Sequence, residues 1–136
     1  MKIEYLNNIS LIFKMGKSKS NPFRDRYTLN ERRSVAKDIL DKHKDRIPII
    51  IFKDPSSKVP DISKHKFLVP RETTIGKLIY EIRKHITLKS TESIFLFIND
   101  VMPPVNELIE TIYNKYKDTD GFLYITYNGE NTFGSS

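Results

Sequence analysis

Four short runs constrain the fold of this chain more than any other feature. Ile47 to Phe52, His65 to Pro70, Ile94 to Ile98 and Phe122 to Tyr127 are five or six residues long and rich in β-branched and aromatic side chains. Runs of that length and composition read as strands rather than buried helices. Pro48 near the start of the first run is tolerable there, and Pro70 ends the second. A different period separates the second and third runs. Ile75, Leu78, Ile79, Ile82 and Ile86 share one helical face behind a cap at Thr73 or Thr74. Two strands bracketing an amphipathic helix suggest a sheet gripping that helix, an α+β arrangement.

Helices are expected on both sides of this unit. Pro22 to Tyr27 suits a short helix, and Thr28-Leu29-Asn30-Glu31 is a capping box. Val35, Ala36, Ile39, Leu40 and His43 follow it at helical spacing, with Arg32, Arg33, Lys37 and Asp38 assigned to the opposite face. Pro103-Pro104 is read as opening a further helix with Val105, Leu108, Ile109, Ile112, Tyr113 and Tyr116 in register. At 136 residues there is room for one core. Residues 1–20 read as a flexible extension, 21–127 as the folded domain and 128–136 as a polar, mobile C-terminal arm. Met15 to Ser20 fits an N-myristoylation pattern only for a chain initiated at Met15; here Gly16 is internal.

Several function classes fall away. With no cysteine, the chain has no disulfide, thiolate metal site or cysteine nucleophile. His43, His65 and His85 fall on separate elements without i, i+4 partners, so no metal site and no cofactor are expected. No nucleophile elbow, phosphate loop or zinc-protease motif is present, and the chain is not read as an enzyme. The first 66 residues carry a charge balance of +8 and the remainder −2, so one end attracts acidic partners. No RNP-type aromatic pair, zinc finger or RGG tract accompanies that field, which argues against nucleic acid. The apolar runs are far shorter than the roughly 20 residues that span a bilayer. The arm places Gly134 two residues from the last, where a side chain without Cβ can thread a narrow enzyme cleft.

A set of ordered motifs narrows the choice. Arg46-Ile47-Pro48-Ile49-Ile50, Lys66-Phe67-Leu68-Val69-Pro70, Thr74-Ile75-Gly76 and Ile82-Arg83-Lys84 are followed by Phe95-Leu96-Phe97-Ile98-Asn99-Asp100 and Pro103-Pro104. Asp120-Gly121-Phe122-Leu123-Tyr124 and Gly129-Glu130-Asn131-Thr132-Phe133-Gly134 complete the series. From about Phe23 to Gly134 the chain closely resembles the autophagy-related ubiquitin-like modifiers, the family of GABARAP and microtubule-associated light chain 3. The resemblance implies a β-grasp, ubiquitin-like fold, with a four-stranded mixed sheet and two additional N-terminal helices. It implies that a cysteine protease removes Ser135-Ser136, and that activating and conjugating enzymes transfer Gly134 to phosphatidylethanolamine. The product would act at the autophagosome membrane, with the unlipidated, monomeric form in the cytoplasm. Use on another organelle membrane is the alternative, as is an unlipidated protein-interaction or microtubule-binding domain.

The resemblance also implies a docking site for receptor peptides of the form aromatic-x-x-aliphatic, which add a strand to a sheet edge. The aromatic pocket carries over to Ile39, Pro48, Ile50, Lys66, Leu68 and Phe122, and the aliphatic pocket to Phe67, Val69, Pro70 and Leu78. Arg83 would meet acidic flanking residues, and Phe95 and Phe97 the processing and activating enzymes. Four positions depart from the family pattern. Thr73 and Glu81 replace apolar residues of the aliphatic pocket, Val35 replaces a glutamate beside the aromatic one, and His85 replaces an arginine. These departures imply altered motif selectivity.

Overall fold

The structure, a computed structural model, describes residues 4–5 and 23–130. Its elements in order are β1 (Glu4–Tyr5), α1 (Phe23–Arg26), α2 (Leu29–Lys42), β2 (Arg46–Lys53), β3 (Lys66–Pro70), α3 (Ile75–Arg83), β4 (Phe95–Phe97), α4 (Ile109–Tyr116) and β5 (Leu123–Asn128). The sheet runs β1-β3-β2-β5-β4. β2 and β5 are parallel at its centre; β3 is antiparallel to β2, and β4 to β5. This is the expected four-stranded mixed sheet of a β-grasp. The two residues of β1, antiparallel to β3, add a fifth strand that the sequence reading did not foresee.

The strands look continuously apolar because both faces of the sheet are covered. Ile47, Ile49 and Ile51 of β2, Phe67 and Val69 of β3, and Leu123, Ile125 and Tyr127 of β5 pack with Ile75, Leu78 and Ile82 of α3 and Ile109 and Ile112 of α4. The intervening residues Ile50, Leu68 and Phe122 pack against Phe23, Tyr27, Val35, Ala36 and Ile39 from the α1–α2 side. Each such aliphatic side chain contributes about 1.5–3 kcal/mol on burial. The period of two along each strand thus assigns alternate side chains to two separate cores.

Local signals set the element ends. The Thr28 hydroxyl accepts from the Glu31 N–H at 3.1 Å and the Thr28 N–H donates to the Glu31 carboxylate at 2.8 Å, completing the capping box. Thr74 caps α3 by accepting from the Lys77 N–H at 3.1 Å. Asn99 and Asp100 both take positive φ, and Ile98 and Val101 exchange both backbone hydrogen bonds across them, a two-residue hairpin turn.

Two helical expectations are corrected. α4 begins at Ile109, not at Pro103, because the intervening carbonyls serve α3 instead. Val105 accepts from the Gly76 N–H at 2.8 Å and Glu107 from the Ile75 N–H at 2.9 Å, while Leu108 bridges to Thr74 in extended conformation. Arg32 does not lie on the solvated face of α2. It is 8% exposed, on the same stripe as Val35, Ala36 and Ile39, because Asp120 waits there to receive it at 2.7 Å.

Candidate functional site

The site begins at β3. Ile51 donates its N–H to the His65 carbonyl at 2.7 Å, one step before the Ile50–Lys66 pair. Antiparallel pairs alternate between bonded and unbonded, so Ile49–Phe67 and Ile47–Val69 exchange hydrogen bonds while Pro48–Leu68 does not. Pro48 therefore costs β3 no bond, and β5 begins its pairing only at Ile49. The same alternation turns the N–H and C=O groups of Lys66 and Leu68 away from β2, toward the outer edge of the sheet.

The residues inferred for the two pockets separate onto the two faces of the sheet. Ile39, Ile50, Leu68 and Phe122 share the α1–α2 cluster, each 2% exposed or less. Pro48 is buried on the same side of β2 as Ile50. Lys66, only partly buried, stands at the rim. Burial pushes the Lys66 ammonium pKa down, and the neighbouring Arg26 charge pushes it the same way. Phe67, Val69 and Leu78 belong to the opposite cluster under α3, and Pro70 is buried at the strand end. The ten residues thus form two closed floors, with Lys66 as the polar margin of one.

Charge at the far end of α3 is already engaged. Arg83 donates to the Glu92 carbonyl at 2.8 Å, bracing the 89–92 turn. Glu81 lies 3.3 Å from Lys84 and 3.9 Å from Lys77. His85 meets the Phe67 ring edge-on at 5.7 Å, where burial, the largest influence, pushes its pKa down. Thr73 is buried, donating its N–H to Pro70 and accepting from Ile109. Val35, 6% exposed, is packed among the aromatic-pocket residues. The other histidines are structural: His43 is the C-cap of α2, and His65 stacks on Phe52 at 4.9 Å with its Nδ1 donating to Ile51. Among the described residues, no three His, Asp or Glu side chains converge as a metal site.

A polar network that the sequence reading missed supports the aromatic-pocket face. Asp120, 2% exposed, accepts from the Arg32 guanidinium, the Tyr124 hydroxyl and the Phe122 N–H. Arg32 also donates to the Tyr27 carbonyl at 3.1 Å, tying α1 to α2. Arg24 reaches Asp118 at 3.0 Å and covers the Tyr124 ring at 4.1 Å. Burial, then the hydrogen bond and charge of Asp120, push the Tyr124 pKa up. Burial lowers the affinity of Arg32 for its proton, but its bonds to Asp120 and Tyr124 outweigh that and hold it above its ordinary value. The spacing 32-35-36-39 was the available signal, since it puts Arg32 on the apolar stripe.

At the other end of the sheet, Phe95 is half-buried and Phe97 is buried, with Leu96 between them turned into the α3 core. β5 then delivers the C-terminal arm through a fixed exit. Gly129 donates its N–H to the Ser57 hydroxyl at 3.2 Å, and a Cβ there would lie 2.7 Å from a Val59 methyl. The Tyr127 hydroxyl donates to the Pro60 carbonyl at 2.8 Å, and burial pushes its pKa up to about 12. Gly134 lies outside the described residues, as do Ser135 and Ser136.

A family profile described as "Autophagy protein Atg8 ubiquitin like" matches residues 31–134. The chain belongs to the Atg8 family. It is 56% identical over 114 residues to "Autophagy-related protein 8" of Dictyostelium discoideum, covering 83% of this chain and 93% of that one. It is 46% identical over 119 residues to "Autophagy-related protein 8e" of Arabidopsis thaliana, covering 88% and 98%. The fold is similar to that of Trypanosoma brucei ATG8, with a TM-score of 0.76 at 38% identity and coverage of 88% of this chain and 100% of that one. It is also similar to Plasmodium falciparum Atg8 in complex with a Plasmodium falciparum Atg3 peptide, with a TM-score of 0.73 at 31% identity, covering 81% and 97%. As an Atg8 the chain is a ubiquitin-like modifier with a role in autophagy, not an enzyme.

Proposed function

We propose that this Atg8 is processed after Gly134, conjugated through that glycine to phosphatidylethanolamine, and used to recruit receptors through aromatic-x-x-aliphatic peptides. The observation that carries the reading is the family match, which extends through the arm to Gly134. The acyl chains of the lipid would supply membrane attachment to a domain in which no described helix is long and apolar enough to cross a bilayer. Phe95 and Phe97, near the exit of the arm, are the proposed contact for processing and activating enzymes.

The receptor peptide would lie along β3, bonding to the outward-facing backbone of Lys66 and Leu68. Its aromatic anchor would enter over Ile39, Pro48, Ile50 and Phe122, and its aliphatic anchor over Phe67, Val69, Pro70 and Leu78. That a Plasmodium relative is solved with an Atg3 peptide supports a peptide-accepting surface on this fold. Lys66 and Arg83 would favour acidic flanks, chiefly through on-rate and specificity. Val35 adds apolar surface to the first pocket, while Thr73 and Glu81 make the second more polar, so the first anchor should dominate selectivity. A peptide panel ranked as typical Atg8 proteins rank it would overturn this preference.

Intact-mass measurement after incubation with lysate from the source cells tests processing. Loss of Ser135-Ser136 from the wild type but not from Gly134→Ala supports it. An unchanged mass in a lysate that cleaves a related substrate rejects it. Membrane recovery that depends on Gly134 then tests lipidation.

A further inference from the structure

The β3 edge is not bare. Glu4 lies opposite Leu68 and Tyr5 opposite Phe67, antiparallel, on the outer side of the strand. Leu68 is one of the two β3 residues whose amide and carbonyl turn away from β2, so Glu4 occupies the position where an added strand would exchange hydrogen bonds. The family profile begins at residue 31, and this strand comes from the segment that precedes it. We propose that the N-terminal segment is a displaceable occupant of the docking edge, competing with receptor peptides for the backbone of Leu68. This rests on the peptide-docking reading of β3 and adds its regulation.

Two features make the occupant removable. Among the described residues the pairing is two residues long, so it offers few ladder bonds against a peptide that spans both pockets. Its net charge also has the sign of the rim. Residues 1–20 carry four lysines against one glutamate, Glu4 of the pairing itself, and Lys66 stands near Arg26 beside that edge. A peptide with acidic flanks is attracted to that rim, whereas a basic segment is not. Covalent attachment compensates, since a tethered competitor acts at an effective concentration on the order of millimolar for short linkers. The segment would therefore exclude weak or uncharged peptides and yield to acidic ones. Added salt, by screening only the peptide's advantage, should shift the balance back toward the segment.

The test uses the full-length chain and its Glu4→Pro variant, because proline removes the donor opposite Leu68 and cannot rejoin the ladder. Backbone amide exchange at Leu68 reports occupancy without any peptide. A synthetic acidic-flanked aromatic-x-x-aliphatic peptide reports competition. Exchange at Leu68 should be faster in the variant while α3 amides are unchanged, and peptide affinity should rise about threefold to tenfold, the range expected from one or two ladder bonds. Unchanged exchange at Leu68 overturns the pairing. Faster exchange with unchanged affinity, for a peptide that shifts the Leu68 resonance, overturns the competition. A peptide that binds neither chain overturns the docking reading and the competition with it, while the exchange result still decides whether the segment pairs.

Discussion

The two faces of the sheet are built from different materials. Under α3 and α4 the core is almost wholly aliphatic, with Ile47, Ile49, Ile51, Val69, Leu78, Ile82 and Leu123 each fully buried. Under α1 and α2 it is small and aromatic, and it is closed by the charged network of Arg32, Asp120 and Tyr124. The first face has directional side-chain bonds only at its margin, from the Tyr127 and Tyr113 hydroxyls to the Pro60 and Gly121 carbonyls, and its aliphatic centre tolerates small shifts. The second depends on hydrogen bonds that demand one geometry, and a buried charge left without its partner is costly. The proposed aromatic pocket sits on that second face, so its shape is set by a polar latch rather than by packing alone.

This contrast can be broken in order of expected effect. Asp120→Ala takes the nearer carboxylate from buried Arg32, leaving only Asp118 at 3.7 Å, and strands the Tyr124 hydroxyl, so it should cost about 3–5 kcal/mol in urea unfolding. Amides of α2 should lose protection before those of α3; simultaneous loss would mean that the two faces unfold as one unit. Leu78→Ala, on the aliphatic face, should cost about 3 kcal/mol and lower protection everywhere, because it hollows the larger core. A cost below about 1 kcal/mol would show that this face collapses around the gap. Gly121→Ala probes the seam between the faces. Gly121 has φ of 97° and a Cβ there would lie 2.9 Å from that of Ala36, so about 2 kcal/mol should be lost and α2 displaced.

The smallest effect is one of pH. His85 has a folded-state pKa below its unfolded value, so the unfolded chain binds more protons between the two. Its contribution is complete above the unfolded pKa and is lost as pH falls through that value toward the folded one. Glu81, Lys64 and Lys84 face it, the carboxylate opposing the shift and the two lysines adding to it. His85→Gln should flatten the stability profile below about pH 6.5, the ordinary histidine value. An unchanged slope would place the acid sensitivity elsewhere.

Much of the architecture was legible because it depends on local chemistry. The Thr28–Glu31 box and the Thr74 cap each act within four residues, and the apolar runs announced the strands. The failures share a cause of the opposite kind. Arg32 meets Asp120 across 88 positions, so nothing near it in the chain said that a charge on the apolar stripe would be matched. Pro103 to Leu108 carried helical spacing, but their carbonyls were claimed by α3, a tertiary contact invisible to periodicity. β1 has two residues and no alternation to detect. For the candidate site, the family motifs gave the residues, while their division between two closed floors emerged only with the pleat of β3.

The clamp at Gly129 has a consequence for working distance. Gly134 lies five residue steps beyond it, and a fully extended chain spans at most about 3.3–3.6 Å per residue, so the arm reaches no further than about 18 Å. If Gly134 is joined to a lipid as proposed, the body of the protein would be held within that radius of the headgroups, like a buoy on a short mooring. A partner must then be slender enough to approach between the domain and the bilayer, or long enough to come from the side. Lengthening the arm by a few residues would relax that restriction without altering one atom of the folded domain.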